Sequence, residues 1–446
     1  MSKNMNENSE VVETASNEID SEQTSRRDFF KKAAASVTAL AGTSLLASGD
    51  TGKDDPLIMH HVKWGQKLGD PVTKNRYGIP SPYEHNNVRR NTSLLASGNW
   101  QASIAVTPLH ESEGIITPNG LFFSRSHGGT AHVDPNEYRL MINGLVDKEI
   151  VMTLNELKRY PSVTRTHFIE CPANGGQEWR GPQFNSLQFA KGFMASAEWT
   201  GVYIKDIIKD LGVSPKALWM LAEGSDNSEM GRTVPMDKVL DDAMLVWGQN
   251  GEALRPEQGY PVRLLLPGWE GNLCVKWVKR LEFAAEPFYA KEETSKYTAL
   301  KKTGKAIQHF YANEVNSTVT HPSPEKPWKG QGLKKGDIVE IQGIAWSGMG
   351  TITGVDISLD GGKNYVPANL KGLVLPKSWT RWSYIHVYDG KSLLLTSRAM
   401  DDAGYIQPTV DEETSVTGVE AVYHRNAVET WEVTEEGEVN HVQIRS

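Results

Sequence analysis

A cysteine placed where a strand-forming run breaks into a loop is the most chemically pointed feature of this chain. Cys171 lies in His167-Phe168-Ile169-Glu170-Cys171-Pro172-Ala173-Asn174-Gly175-Gly176-Gln177-Glu178-Trp179-Arg180-Gly181. A thiolate is a soft ligand suited to a redox metal, and a Pro, Asn and Gly loop lets backbone approach a bound group closely. Read locally, the same residue has other outcomes: an inert buried thiol, a Cys171–Cys274 disulfide, or the nucleophile of a Cys-His hydrolase. Only two cysteines occur, so at most one bridge is possible and no disulfide framework supports the fold. The histidines (His60, His61, His127, His132, His167) include no His-x-x-x-His pair, which opposes a zinc site. No Cys-x-x-Cys-His run is present to attach a haem covalently. Redox chemistry here would have to pass its electrons to another protein.

Other groups suit anion handling. Arg125, in Phe123-Ser124-Arg125-Ser126-His127-Gly128-Gly129, sits in a polar glycine-rich loop where a guanidinium can pair with an oxyanion or phosphate. Arg180, Arg263 and Arg425 invite the same reading, and each could instead be an ordinary arginine. Tyr297, in Glu293-Thr294-Ser295-Lys296-Tyr297, could donate to an oxygen at a metal or lie in a surface loop.

The elements that must position these groups are of two textures. Residues 54–120 are rich in Pro, Asn, Gly and Ser and read as an extended arm of loops. The alternation of Tyr138-Arg139-Leu140-Met141-Ile142-Asn143-Gly144 predicts a strand, and Thr153 predicts the cap of a short helix. A second helix is expected over 202–211, with Val202, Ile204, Ile207, Ile208 and Leu211 on one face. Strands follow over 217–222 and 262–266, the latter apolar enough to be buried on both sides. After the Pro-rich stretch 321–327, alternating runs at 337–346, 353–359, 382–388 and 393–398, with turns such as Asp360-Gly361-Gly362, predict an all-β sandwich without an interrupting helix.

Length and composition agree with more than one core: 446 residues, 39% hydrophobic and 23% charged. A net charge of -8 opposes non-specific nucleic-acid binding. The stretch Ser25-Arg26-Arg27-Asp28-Phe29-Phe30-Lys31, followed by a small-residue apolar run from Ala33 to Ala47, looks like a twin-arginine export signal. That run is too short and too polar for a membrane span. The expectation is a protein exported folded to the periplasm, with no membrane anchor, whose cofactor is inserted beforehand.

Taken together, these segments resemble the sulfite oxidase family of molybdopterin enzymes, most closely its sulfane-oxidising branch. The likeness runs over residues 105–440 and is carried in order by Gly114 to Pro118, Phe123 to Gly129, the Cys171 loop, Glu198 to Val202, Asn250 to Arg263, Pro267 to Trp277, Glu293 to Thr298, Ala345 to Gly348, Asp356 to Gly362 and Tyr423-His424. The resemblance implies an α+β fold: a mixed α/β molybdopterin domain (111–310) followed by an immunoglobulin-like β-sandwich dimerisation domain (311–446), preceded by a signal peptide (1–50) and an arm (51–110). It implies Cys171 as the molybdenum ligand. Phe123, Ser124, Arg125, Ser126, His127, Asp226, Gln258, Arg263, Cys274, Val275 and Lys276 fall where the family grips the pterin and its phosphate. Arg125, Tyr297 and Arg425 fall at its substrate edge.

Two departures narrow the transfer. Gly175-Gly176 stand where sulfite oxidases carry arginines, and Gln258 replaces the histidine of the animal enzymes. The implied activity is oxidation of reduced sulfur, either protein-bound sulfane or sulfite, by oxygen-atom transfer. Electrons would go to a separate c-type cytochrome, a sulfur-carrier protein could present the substrate, and the assembly would be a homodimer or heterotetramer. The alternatives are a dehydrogenase of free sulfite, an oxide reductase, and an exported binding protein without catalysis.

Overall fold

The structure is a computed structural model that describes residues 77–93, 102–294, 296–308 and 310–445, with Gln66, Leu68 and Pro71. The twin-arginine stretch lies outside the described residues. Two sheets build the half that carries Cys171. One is antiparallel throughout, in the order Glu252–Ala253, Met244–Gln249, Met194–Tyr203, Val163–Glu170, with Arg263–Leu265 also paired to Met244–Gln249. The other runs Ile150–Thr153, Arg139–Gly144, Val278–Ala284, Trp219–Gly224, Gly231–Pro235, and only its Arg139–Gly144 to Val278–Ala284 pairing is parallel. Leu140, Ile142, Met220, Ala222, Leu281 and Phe283 of this sheet share one core with Ala195, Ala197, Trp199 and Val202 of the first.

Local rules explain most of these elements. Thr153 caps the short helix Leu154–Leu157 through a reciprocal capping box: its hydroxyl accepts from the Glu156 N–H at 3.2 Å, and the Glu156 carboxylate accepts from the Thr153 N–H at 2.8 Å. The strand Arg263–Leu265 is buried on both faces, as its composition predicts. The helix expected over 202–211 is shorter, Ile204–Ile208. Val202 and Tyr203 are drawn instead into the ladder opposite Leu245 and Met244, where β-branched and aromatic side chains pack well. The arm is not all loop: Arg90–Ser93 pairs with Ser103–Val106, which pairs in turn with Ser124–Arg125. That second pairing sets Arg125 opposite Ile104.

The second half is a sandwich of a four-stranded sheet (Asn316–His321, Ile338–Trp346, Thr380–Val387, Asn369–Lys371) and a five-stranded sheet (Val366–Pro367, Ile352–Ser358, Leu393–Asp401, Thr430–Val433, Val439–Val442). Trp346, Trp379, Trp382 and Trp431, each 1% exposed or less, fill the space between them. The strand Asn316–His321 begins this sheet before the Pro-rich stretch that marks the change of texture. A helix, Val410–Thr417, lies between the last strands, capped by Thr409 and Glu412 in a second capping box that the expectation of an uninterrupted β texture passed over. The two halves are not insulated from each other. Phe168, Leu187 and Met194, from the Cys171 half, pack in the core of the sandwich.

Candidate active site

The eight-residue pairing of Val163–Glu170 with Met194–Tyr203 fixes the strand end from which Cys171 emerges. The Cys171 N–H donates to Phe193 O at 2.9 Å, and the Asn174 N–H donates back to Cys171 O at 2.9 Å. Asn174 ties the loop sideways: Nδ2 donates to Glu170 Oε1 at 2.8 Å, and Oδ1 accepts from the Phe193 N–H at 3.1 Å. Glu170 accepts in turn from Trp346 Nε1 at 2.7 Å, so a tryptophan of the second half braces the cysteine loop. Both cysteines are buried free thiols. Burial pushes the Cys171 thiol up to about 11 against the opposing pull of the Ala173 N–H and Arg125. Only a bound cation would make it a thiolate at neutral pH. Among the described residues no group of three His, Cys, Asp or Glu side chains forms a metal site, so Cys171 would be a lone protein ligand on a metal held mainly by something else.

That something has a prepared place. A cavity of about 680 Å³ beside Cys171 is lined by Phe123, Ser124, Arg125, Ser126, His127, Asp226, Gln258, Arg263, Cys274, Val275, Lys276 and Tyr297. The walls are cross-tied. Gln258 Nε2 donates to Phe123 O (2.9 Å), Arg263 donates to Gln258 Oε1 (3.1 Å) and Cys274 O (3.1 Å), and Lys276 Nζ donates to Arg125 O (3.1 Å) and Glu257 O (2.9 Å). Buried polar atoms on these walls that make no hydrogen bond include Asp226 Oδ1 and Arg263 Nε. Burial holds Arg263 down at about 10, and burial with the Arg263 charge holds Lys276 down at about 7. A bound anion would relieve both cations, and a bound N–H donor would satisfy Asp226. The residues therefore fit a pterin with a phosphate at the Arg263 and Lys276 end. Cys274 contributes mostly packing: its Sγ accepts from the Leu266 N–H at 3.4 Å.

Across from Cys171 stand His127 and Tyr297, with His127 Nε2 at 2.8 Å from the Tyr297 hydroxyl. Burial and the Arg125 charge hold His127 down at about 3, so its imidazole is neutral at any working pH. Tyr297 has a positive φ of 54° and is 5% exposed, its hydroxyl held well above the usual range by burial. Sequence reasoning missed two of its neighbours. The Tyr423 ring lies 5.1 Å from it, and the Arg232 guanidinium 5.5 Å from its face. Arg232, fully buried within the strand Gly231–Pro235, faces Glu293 at 3.6 Å; an arginine inside a strand-forming run was the available signal.

Arg425 is not brought into this cavity. It is 5% exposed, lies 3.7 Å from Glu413 and 6.0 Å from the Trp179 ring, and lines a separate hollow on the other side of Cys171. Arg180 is on the surface, paired with Glu420. Gly175 and Gly176 are required sterically. A Cβ on Gly176 would lie 2.3 Å from Val422 O, while Gly175 has φ +70° and faces Lys191 Nζ at 3.0 Å.

Residues 127–292 match the oxidoreductase molybdopterin binding domain, and residues 307–431 match the Mo-co oxidoreductase dimerisation domain. The crystal structure of the sulfane dehydrogenase SoxCD from Paracoccus pantotrophus superposes with a TM-score of 0.85 at 44% identity, covering 88% of this chain and 100% of that one. The chain belongs to the sulfite oxidase family of molybdopterin enzymes. Members of the sulfite oxidase family also include more distant relatives. Rat mitochondrial sulfite oxidase is 26% identical over 77% of this chain and 67% of its own length, and chicken sulfite oxidase 29% over 67% and 69%. A nitrate reductase of Volvox carteri is 28% identical over 80% of this chain but only 45% of its own length. As a family member the chain is a molybdenum oxidoreductase with a molybdenum-molybdopterin cofactor, and its α+β architecture of a cofactor domain and a dimerisation sandwich is the family's.

Proposed function

We propose that this enzyme oxidises reduced sulfur, namely sulfane sulfur carried on a protein thiol, and passes the electrons one at a time to a c-type cytochrome in the periplasm. The observation that carries the reading is the cavity in which a buried thiol, Cys171, faces Arg125, His127 and Tyr297 across a space walled by Asp226, Gln258, Arg263 and Lys276. When bound, the molybdenum cofactor supplies oxygen-atom transfer and storage of two electrons. The protein does the rest. Arg263 and Lys276 would hold the phosphate, Asp226 and Gln258 would orient the pterin, and Cys171 would ligate the metal. Arg125 would attract an anionic sulfur group, and the Tyr297 hydroxyl, kept neutral, would donate a hydrogen bond to it while His127 sets its direction.

The absence of arginines at 175 and 176 favours a substrate with less negative charge than free sulfite. Steady-state assays separate the two: efficient cytochrome c reduction with sulfite alone, in the absence of any carrier protein, would replace the sulfane reading with a sulfite dehydrogenase. Export follows from Arg26-Arg27, and Lys-Lys at these positions should leave the protein in the cytoplasm. A second copy would pack on the sandwich, where Ile338, Ile385 and Val387 are 73%, 53% and 59% exposed on adjoining strands. The deciding experiment measures molybdenum content and sulfur-dependent cytochrome c reduction on wild type beside Cys171→Ser. Metal in both with turnover only in wild type supports the reading. Wild type from a cofactor-competent host without metal or turnover would sink it.

A further inference from the structure

Oxidation of sulfur at the expense of water releases protons as well as electrons: R–S⁻ + H₂O gives R–SO⁻, two H⁺ and two electrons. Under the function proposed above, the electrons leave to a haem protein. The protons need their own way out of a buried site.

Behind the cysteine loop, on the side away from the pterin cavity, lie two small polar hollows. The first is lined by Cys171, Asn174, Glu314, His424 and Arg425. The second is lined by Arg425, Glu178, Glu429, His441 and Gln443. Arg425 is a wall of both. Around it the two halves of the chain assemble a buried charge cluster: Lys191 lies 3.1 Å from Glu429, Arg425 3.7 Å from Glu413, and His441 3.6 Å from Glu178, with none of these side chains more than 6% exposed.

The cluster is short of hydrogen bonds. Both carboxylate oxygens of Glu178 lack a side-chain hydrogen-bond partner, and Gln443 Nε2 and Nε and one terminal nitrogen of Arg425 make no hydrogen bond. Polar groups left this way cost too much to be dry, so the hollows are built for water. The charges do not balance either. Glu178, Glu413 and Glu429 face Lys191 and Arg425, Glu314 lies beside Glu413 at the first hollow, and burial holds His441 toward its neutral form, so the carboxylates outnumber the cations.

We propose that this cluster is the proton exit of the enzyme, with Glu178 as the station that stores and releases a proton between the water of the two hollows and His441. Glu178 suits the task. It faces Glu429, Arg425, Lys191 and His441, and burial followed by the Glu429 charge pushes its carboxyl up to about 7, so it exchanges protons near neutrality. Beyond Glu178, His441 Nδ1 lies 3.3 Å from Phe184 O, with its side chain 3% exposed.

The test uses the molybdenum-loaded enzyme and Glu178→Gln. Infrared difference spectra between pH 6 and pH 8 should show a protonated carboxyl in wild type that is lost with rising pH and is missing from the variant. In turnover, Glu178→Gln should retain molybdenum and the KM for the sulfur donor, lose at least about tenfold in kcat, lose the pH dependence near 7, and regain rate when formate is added as a diffusible weak acid. A kcat and pH profile like wild type, or the same carboxyl signal in the variant, overturns the proposal. A variant that does not fold is replaced by His441→Gln, which should keep the infrared signal and slow turnover with the same rescue. If wild type holds molybdenum yet never turns over sulfur, the functional reading fails, and the infrared titration still decides whether Glu178 stores a proton.

Discussion

The contact between His127 and Tyr297 makes the sharpest demand on single atoms. Tyr297→Phe leaves His127 Nε2 without its 2.8 Å partner and removes a donor from the substrate edge. Loss of one buried hydrogen bond, about 1.4 kcal/mol, corresponds to about tenfold in kcat/KM with the fold intact. His127 also links stability to acid. Its pKa falls from 6.5 to about 3 on folding, so the unfolded chain binds more protons between those values. The stabilising contribution is present above pH 6.5 and is lost as pH falls toward 3, and His167, held at about 4 mainly by burial, acts in the same direction. Thermal melts of metal-free protein from pH 7 to pH 4 should therefore show a declining Tm, with a shallower decline in His127→Gln. At the cysteine loop, Gly176→Ala drives a Cβ against Val422 O and should destabilise by about 1–3 kcal/mol in urea titrations, lowering molybdenum content with it. At this scale the sequence was readable wherever a residue belonged to a local motif. Every residue from Phe123 to His127, with Cys171, Asp226, Gln258, Arg263, Cys274, Val275, Lys276 and Tyr297, lines one cavity. Arg425 was misplaced because its side chain answers to Glu413 and Trp179, partners that only the folded chain brings near.

Among the elements, the helix Val410–Thr417 has an influence beyond its eight residues. Its Glu413 accepts from the N–H groups of Asn426 and Ala427 at 2.7 and 3.1 Å, and so holds the segment that carries Tyr423, His424 and Arg425. Thr409→Ala removes the cap and should cost about 1 kcal/mol of stability. Hydrogen exchange should rise in residues 410–427, and no change there would mean that the segment is held by other contacts. This helix and the strand Asn316–His321 escaped sequence reasoning for different reasons. The capping box was present in Thr409 and Glu412 but followed a run of β texture, whereas Asn316–His321 is polar in composition and buried through its pairing with Ile338–Trp346 and its packing on Leu393–Asp401. The over-long helix at 202–211 shows the reverse case, in which a correct helical face was shortened by a stronger strand ladder at Val202 and Tyr203.

For the whole molecule, the outward Ile338, Ile385 and Val387 make assembly testable without any assay of chemistry. Ile385→Lys should convert a dimer to monomers in light scattering while cofactor content stays near wild type, and an unchanged mass would place the contact elsewhere. The same sandwich reaches back into the other half. Trp346 holds Glu170, Glu170 holds Asn174, and Phe168 and Met194 sit in the sandwich core. Neither half can therefore be moved to another protein by cutting near residue 310, because the cut would strip apolar side chains from one side and unbrace the cysteine loop on the other. Heating should give one cooperative transition rather than two, and the pair of segments can be inherited, swapped or engineered only as a unit.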